Sequence, residues 1–183
     1  MKSKTDLRLY AKELRKSLDI QLLSENFVDH IRQLDIYISA KNVMLFYPTK
    51  YEIDLRALLN DDKNFFLPKV NGQNLLVCPV TENMEKSIYN IMEPCSEPVD
   101  CKILDLVIVP ALMADKQGFR LGYGGGFYDR FLKKCDAKTI SLVAKQLYID
   151  KLPIDEFDVK IDKIIVKWKR THILSESDRK SVV

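Results

Sequence analysis

The chain contains an apolar run, Leu106-Val107-Ile108-Val109-Pro110, and downstream of it a glycine-rich stretch, Gly118-Phe119-Arg120-Leu121-Gly122-Tyr123-Gly124-Gly125-Gly126-Phe127-Tyr128-Asp129-Arg130. A continuous apolar run closed by proline is typical of a strand that is buried on both faces. Residues 127–134 can form the helix that follows the glycines. This order predicts a loop at the carboxyl end of a strand in an α/β sheet, which is where such proteins bind ligands.

Outward from this stretch, apolar segments alternate between helix and strand patterns. Helices are predicted over residues 7–18, 24–38 (with Ser24 as N-cap) and 53–59, and strands over residues 43–47, 65–68, 75–80, 140–144 and 164–166. The first helix has a basic face formed by Lys4, Arg8, Lys12 and Arg15. Residues 81–104 show little periodicity, and we expect an ordered excursion over the surface there.

These elements predict an α/β protein with three α/β/α layers, Rossmann-like, whose sheet is mixed and mostly parallel. We expect a single domain over residues 1–183, because 183 residues suffice for one sizeable core. The tail over residues 175–183 is expected to be frayed.

Composition limits the classes of function. Lys and Arg number 29 against 26 for Asp and Glu, and a net charge of +3 is too small to indicate nucleic-acid binding by itself. The four cysteines form no CxxC pair, which favours reduced thiols and disfavours a metal site. The absence of a signal peptide and of an apolar run near ~20 residues predicts a soluble, cytoplasmic protein without a membrane partner. A monomer is the default expectation.

Five of the six glycines lie between Gly118 and Gly126. Glycine backbone suits a loop wrapped on a polyanion, and Arg120 supplies the matching charge. The loop fits neither GxGxxG, because Phe127 takes the third glycine position counted from Gly122, nor the Walker A pattern. We predict a phosphate-binding loop with nearby aromatic rings for stacking; the alternative is a tight structural turn.

Acidic residues near the loop are candidate metal ligands. Asp129 suits Mg²⁺ bridging phosphate oxygens, because Mg²⁺ takes one or two carboxylates and leaves other positions to water and phosphate. The alternative is that Asp129 pairs with Arg120 or Arg130. With only His30 and His172 in the chain, a catalytic triad is disfavoured.

Five separated elements resemble the 5-formyltetrahydrofolate cyclo-ligase family. The main one is Val109-Pro110-Ala111-Leu112-Met113-Ala114-Asp115 followed by Gly118 and by Arg120 through Leu132. The others are Lys4-Thr5-Asp6-Leu7-Arg8, then Glu52 with Met92-Glu93-Pro94, and finally Leu152-Pro153 with Asp158 and Asp162. The resemblance implies an ATP- and Mg²⁺-dependent ligase that converts 5-formyltetrahydrofolate to 5,10-methenyltetrahydrofolate through a phosphorylated formyl intermediate, releasing ADP and phosphate.

The resemblance also implies roles for residues. It assigns catalysis to Arg120, Tyr123 and Asp129, and Mg²⁺ binding to Asp129 and Asp162. It implies that ATP is bound by Lys4, Arg8, Arg120, Gly122, Tyr123, Gly124, Gly125, Gly126, Phe127, Tyr128 and Asp129. It implies that the reduced folate is bound by Tyr47, Glu52, Tyr123 and Phe127. The alternatives are a solvated helix face for Lys4 and Arg8, a charge at a helix N-terminus for Glu52, and an ordinary strand aromatic for Tyr47.

Two departures from the family pattern concern the folate side. Ala114 stands where the family has phenylalanine, so we expect a smaller wall near the folate, and Phe127 replaces a common tyrosine. Alternative functions are an ATP-dependent enzyme of the same fold acting on another small acceptor, a non-catalytic protein that sequesters reduced folates, and a nucleic-acid-binding role suggested by the basic first helix.

Overall fold

The computed structural model describes residues 2–167. Within them, the strands are β1 (Asn42–Met44), β2 (Asn64–Asn71), β3 (Asn74–Pro79), β4 (Met84–Lys86), β5 (Met92–Pro94), β6 (Leu106–Val109), β7 (Met113–Asp115), β8 (Arg120–Leu121), β9 (Lys138–Ala144), β10 (Tyr148–Ile149) and β11 (Lys163–Lys167). The helices are α1 (Lys4–Lys16), α2 (Ile20–Ile31), α3 (Asp35–Ser39) and α4 (Phe127–Leu132). The predicted frayed tail lies outside the described residues.

The central sheet has six strands in the order β11-β9-β6-β1-β2-β3. The first five of these run parallel to their neighbours, and β3 pairs antiparallel with β2 at the edge. The predicted α/β class with a mixed, mostly parallel sheet is confirmed. That the whole chain is a single domain stays a prediction.

Both faces of the sheet are buried, as the continuous apolar strands predict. Along β6, Leu106 and Ile108 pack with residues of α1 and α2, while Val107 and Val109 pack with Phe131 of α4 on the opposite face. Alternate side chains of a strand point to opposite faces, so an entirely apolar strand requires helices on both. Within residues 2–167 no helix is long and apolar enough to cross a membrane.

The helix prediction was right in kind and partly wrong in its boundaries. α1 begins with a capping box, in which the Ser3 hydroxyl accepts the Asp6 N–H and the Asp6 carboxylate accepts the Ser3 N–H. The second helix is N-capped by Asp19 and ends at Ile31. Ser24 lies inside it and donates to the Ile20 carbonyl at 2.6 Å. The next predicted helix is a 3-10 helix, Arg56–Asn60, which begins three residues later than predicted.

The strand order creates a crevice beside β1. The chain leaves β1 for β2 on one side and later returns to β6 on the other side. A ligand site is expected at the carboxyl ends of the two strands where the order reverses. Residues 45–52 follow β1 there, and residues 110–112 follow β6.

Residues 81–104 form an ordered excursion, as predicted. They contain the antiparallel hairpin of β4 and β5 and a 3-10 helix, Cys101–Ile103. The hairpin is tied to the main sheet because the buried Glu93 carboxylate accepts the Val70 N–H at 3.2 Å. Asn90, at its tip, has a positive φ of 58°.

A buried carboxylate organises the small sheet of β10, β7 and β8. Asp115 is 0% exposed. Its Oδ1 accepts the N–H groups of Gln117 and Phe119 at 3.0 and 2.9 Å, and its Oδ2 accepts the Leu152 N–H at 2.9 Å. This one side chain therefore fixes the turn that leads into Arg120 and joins it to the segment after β10.

We predict that Asp115→Ala lowers the free energy of unfolding by about 3–5 kcal/mol, since three N–H groups, of which that of Leu152 is buried, lose a fully buried anionic acceptor. Asp115→Asn keeps one acceptor oxygen and should lose about 1–3 kcal/mol. Urea unfolding measures both, with the exposed Asp136→Ala as control, expected within about 0.5 kcal/mol of wild type. Unchanged midpoints in both Asp115 variants would contradict this role.

Candidate active site

The glycines of the loop are required by backbone conformation and by space. Gly124 and Gly126 have φ of 108° and 66°, in the left-handed region that side chains disfavour. A Cβ on Gly125 would lie 2.7 Å from ring carbons of Phe127. The loop therefore lies closely against its own aromatic residue, and Gly126 is the N-cap of α4.

Arg120 is buried beside the loop with part of its hydrogen-bonding capacity unused. Its side chain is 3% exposed, and Nη2 donates to Asp129 Oδ1 at 3.3 Å. Its Nε and the hydroxyl of Tyr128 have no hydrogen-bond partner within residues 2–167. The guanidinium lies over the Tyr128 ring, 6.0 Å from its centroid. A buried polar group without a partner costs about 1–3 kcal/mol, which is typical of a site that a ligand completes.

The predicted metal carboxylates flank one segment. Asp129 Oδ1 also accepts the Val159 N–H at 3.2 Å. Asp162, three residues further on, accepts the N–H and the hydroxyl of Thr139 through Oδ2, both at 2.8 Å. The alternative pairing of Asp129 with Arg120 is present. No cluster of three or more His, Cys, Asp or Glu side chains able to hold a metal occurs in the described residues.

Two cations of the basic face of α1, Arg8 and Lys4, contact other segments of the chain, while Lys12 is exposed. Arg8 Nε donates to the Gly122 carbonyl at 2.9 Å. Lys4 Nζ lies 2.7 Å from Asp155 and 2.5 Å from Asp158. Burial disfavours the charge of Lys4, but the hydrogen bonds and charges of these two carboxylates outweigh it and raise its pKa. The solvated-face alternative therefore does not describe Lys4 and Arg8.

Arg15, to which the sequence analysis gave no role, is the most buried cation of this face. It is 6% exposed. Its Nη1 donates to the Tyr123 hydroxyl at 2.8 Å, and its Nη2 donates to the Ala111 carbonyl. Its position one turn after Lys12 on the basic face was a usable signal, but its burial depends on the residues that follow β6.

Tyr123 connects Arg15 to Glu52. A guanidinium only donates hydrogen bonds, so the Tyr123 hydroxyl accepts from Arg15, and its own proton is free for the neighbouring Glu52 carboxylate. Burial of the hydroxyl raises the pKa of Tyr123, and the Glu52 charge raises it further, although 42% of the residue is exposed. The phenol therefore stays neutral and acts as a donor.

Glu52 and Tyr47 differ in their contacts. Glu52 is 6% exposed, and its Oε2 accepts the Thr49 N–H at 2.8 Å in a tight turn. Its charge also acts on Tyr128, whose pKa is raised first by burial and then by Glu52. The Tyr47 hydroxyl instead meets Arg56 Nη1 at 3.2 Å. Glu52 thus belongs with the loop aromatics, while Tyr47 contacts the segment after β1.

Two cavities meet near Thr49. One, of about 950 Å³, lies between α2 and residues 48–57 and includes Glu52. The other, of about 300 Å³, includes Arg15, Tyr123 and Leu112. Thr49 lines both. Their sizes suit a small-molecule ligand.

Phe127 is covered by a residue that the sequence analysis did not identify. Tyr89, at the tip of the β4–β5 hairpin, meets the Phe127 ring edge-on with centroids 5.9 Å apart. Arg130 lies over the same ring at 5.3 Å. Ala114 is 0% exposed within β7 and lines neither cavity, and its effect on the fit of a folate stays a prediction.

Comparison with known proteins shows which family the chain belongs to. Residues 1–167 match the model of the 5-formyltetrahydrofolate cyclo-ligase family. The chain belongs to this family. The predicted family and the predicted enzyme class, a ligase, are confirmed.

Individual cyclo-ligases match over most of their length. The mouse 5-formyltetrahydrofolate cyclo-ligase is 30% identical over 174 residues, covering 83% of this chain and 82% of the mouse protein. The Escherichia coli K12 enzyme is 33% identical, covering 72% and 81%. The NMR structure of Aquifex aeolicus 5,10-methenyltetrahydrofolate synthetase superposes with a TM-score of 0.80 at 30% identity over 89% of each chain. The Mycoplasma pneumoniae synthetase, at 20% identity and a TM-score of 0.69, supports the fold alone.

We predict that Tyr123→Phe lowers the free energy of unfolding by about 1–3 kcal/mol, because the buried Arg15 side chain loses the acceptor of its Nη1. Urea unfolding measures the loss. Tyr10→Phe, on the helix that carries Arg15, is the control, because this tyrosine is 45% exposed, and it should change stability by less than about 0.5 kcal/mol. Equal stabilities of the two variants would show that the Arg15 to Tyr123 bond contributes nothing.

Proposed function

We propose that this cyclo-ligase family member converts 5-formyltetrahydrofolate to 5,10-methenyltetrahydrofolate with hydrolysis of ATP to ADP and phosphate, in the presence of Mg²⁺. The observation that supports it best is the buried Arg120, whose Nε has no partner within residues 2–167 although it lies beside a glycine-rich loop. We propose that the protein is a monomer and that it is located in the cytoplasm.

A triphosphate fits the charge on the loop side of the crevice. Arg120 lies beside the loop, and Arg8 contacts it from α1. Lys4 stands at the start of the same helix face, held by Asp155 and Asp158. Cations and loop N–H groups neutralise phosphate oxygens, and this neutralisation is the main requirement of phosphoryl transfer.

Mg²⁺ would be held by Asp129, whose Oδ1 accepts the Val159 N–H, and by Asp162, three residues further along that segment. For Asp162 the available oxygen is Oδ1, since Oδ2 accepts two bonds from Thr139. The ion supplies charge neutralisation on the phosphates. A site of one or two carboxylates suits Mg²⁺ shared with phosphate, and a closed protein cage is not needed.

The folate side of the crevice is formed by Glu52 with Tyr123. A carboxylate accepts at two points, which matches the amino and ring N–H donors of a pterin. Burial makes the match selective, since a buried carboxylate facing a ligand without these donors would stay unpaired. Phe127, with Tyr89 against its edge, offers an apolar aromatic surface near the loop.

The proposed chemistry requires no protein nucleophile. The formyl oxygen attacks the γ-phosphorus of ATP and ADP leaves; nitrogen 10 of the folate then attacks the activated carbon, and phosphate leaves as the ring closes. The residues position the two substrates and stabilise charge, which accounts for catalysis by a chain with two histidines. Arg120 would stabilise the transferred phosphoryl group, and Tyr123 would orient Glu52 and the bound folate.

We predict that Arg120→Ala and Asp129→Ala each lower turnover at least about 100-fold, because Arg120 would stabilise the transferring phosphoryl group and Asp129 would hold the Mg²⁺ that neutralises it. The assay follows the absorbance of 5,10-methenyltetrahydrofolate formed from 5-formyltetrahydrofolate, with and without MgATP. Lys102→Ala, an exposed change at the opposite end of β6, is the control and should keep full activity. Circular dichroism verifies that each variant is folded.

Other outcomes of this assay would contradict the proposal. Wild-type protein that binds reduced folate but forms no product would favour a sequestering role. Protein that hydrolyses ATP without forming methenyltetrahydrofolate would favour another small acceptor. If Arg120→Ala or Asp129→Ala kept wild-type turnover, the loop would not be the phosphate-binding site.

We predict that Glu52→Gln raises the KM for 5-formyltetrahydrofolate by about 10-fold to 100-fold, because the amide presents a donor where the pterin also presents one. The KM for ATP should change less than about threefold, since Glu52 lies on the proposed folate side of the crevice. Steady-state kinetics with each substrate varied in turn separate the two effects. An equal rise in both constants would refute the assignment of Glu52 to the folate.

A further inference from the structure

Two cysteines lie together away from the candidate active site. Cys101 is in the 3-10 helix that precedes β6, and Cys135 follows α4 by three residues. The Cys135 thiol approaches the Cys101 carbonyl, with sulfur and oxygen 3.6 Å apart. The Cys101 thiol approaches the Lys134 carbonyl, whose carbon is bonded to the Cys135 nitrogen, at 3.3 Å. Each sulfur therefore contacts a backbone carbonyl that belongs to the other cysteine or to the residue next to it.

The two thiols differ in exposure. Cys135 is 8% exposed and packs with Phe131 and Leu132 of α4, whereas Cys101 is partly exposed at the edge of that cluster. Burial raises the pKa of Cys135 to about 11, and the adjacent Cys101 thiol adds to the shift. The thiolate is the reactive form, so Cys135 is protected from direct attack by a soluble oxidant. Cys101 is the accessible partner.

We propose that Cys101 and Cys135 are a peroxide-sensitive pair that forms an intramolecular disulfide. The Cys101 thiolate attacks one oxygen of hydrogen peroxide, the O–O bond breaks, and Cys101 sulfenic acid and hydroxide result; the hydroxide takes up a proton to give water. The Cys135 sulfur then attacks the Cys101 sulfur, and the sulfenic oxygen leaves with the Cys135 proton as a second water. Two thiols are oxidised by two electrons and one peroxide is reduced.

The crosslink would join the end of α4 to the start of β6. α4 carries Asp129 in its first turn, so the disulfide would fix the far end of the helix that presents this residue. Closing a loop of about 35 residues in the unfolded chain should raise the melting temperature by several degrees.

The experiment oxidises the full-length wild-type protein with hydrogen peroxide, blocks free thiols with N-ethylmaleimide, and analyses tryptic peptides without reduction. Cleavage after Lys102 and Lys134 should give residues 87–102 linked to residues 135–138, and dithiothreitol should release them. The first peptide also contains Cys95, so Cys95→Ser is the variant that assigns the bond. We expect the same crosslink yield in Cys95→Ser.

Cys135→Ser is the matched control. It should form no crosslink, should accumulate Cys101 sulfenic acid trapped by dimedone, and should show no rise in melting temperature on oxidation. The proposal is overturned if Cys101 and Cys135 both carry N-ethylmaleimide after oxidation of the wild type, or if the crosslink is lost in Cys95→Ser. The readout requires no enzymatic activity and is independent of the proposed reaction.

Discussion

The Asp115 carboxylate is the constraint on which the candidate site depends. It holds three backbone N–H groups from two separate segments while being fully buried. One segment leads within five residues to Arg120, and the other leads through Leu152 to Asp155 and Asp158. A carboxylate desolvated to this degree is stable only when its bonds are all made, so the relative position of these segments has little freedom.

The charges of the site are held in two ways. Lys4 and Arg120 are paired with carboxylates, whereas Arg8 and Arg15 are held by carbonyl and hydroxyl oxygens. A neutral oxygen satisfies the geometry of a guanidinium without cancelling its charge, so the field of Arg8 and Arg15 persists in the crevice. The arrangement fixes three cations on α1 and one, Arg120, beside the loop, and the positive potential of Arg8 and Arg15 is not cancelled by a paired carboxylate.

The sequence patterns predicted those elements whose conformation is determined by residues close together in the chain. β6 has the predicted bounds, because a continuous apolar run that ends at a proline fits a buried parallel strand and few other structures. The N-cap of α2 was misplaced because both Asp19 and Ser24 suit a cap, and only the bond from the Asp54 N–H to the Ser24 hydroxyl shows that Ser24 serves a tertiary contact. The contacts of Arg15 and Tyr89 could not be predicted, since their partners are distant in sequence.

Phe127 shows how packing determines the residue type at one position of the loop. Its ring lies so close to Gly125 that a Cβ there would clash, while Tyr89 and Arg130 contact the ring from other directions. These contacts use the faces and edges of an aromatic ring and need no hydroxyl. Phenylalanine at this position therefore meets the packing in full without a polar group. Hydrogen bonding is carried instead by Tyr123, whose hydroxyl accepts from Arg15 and lies beside Glu52.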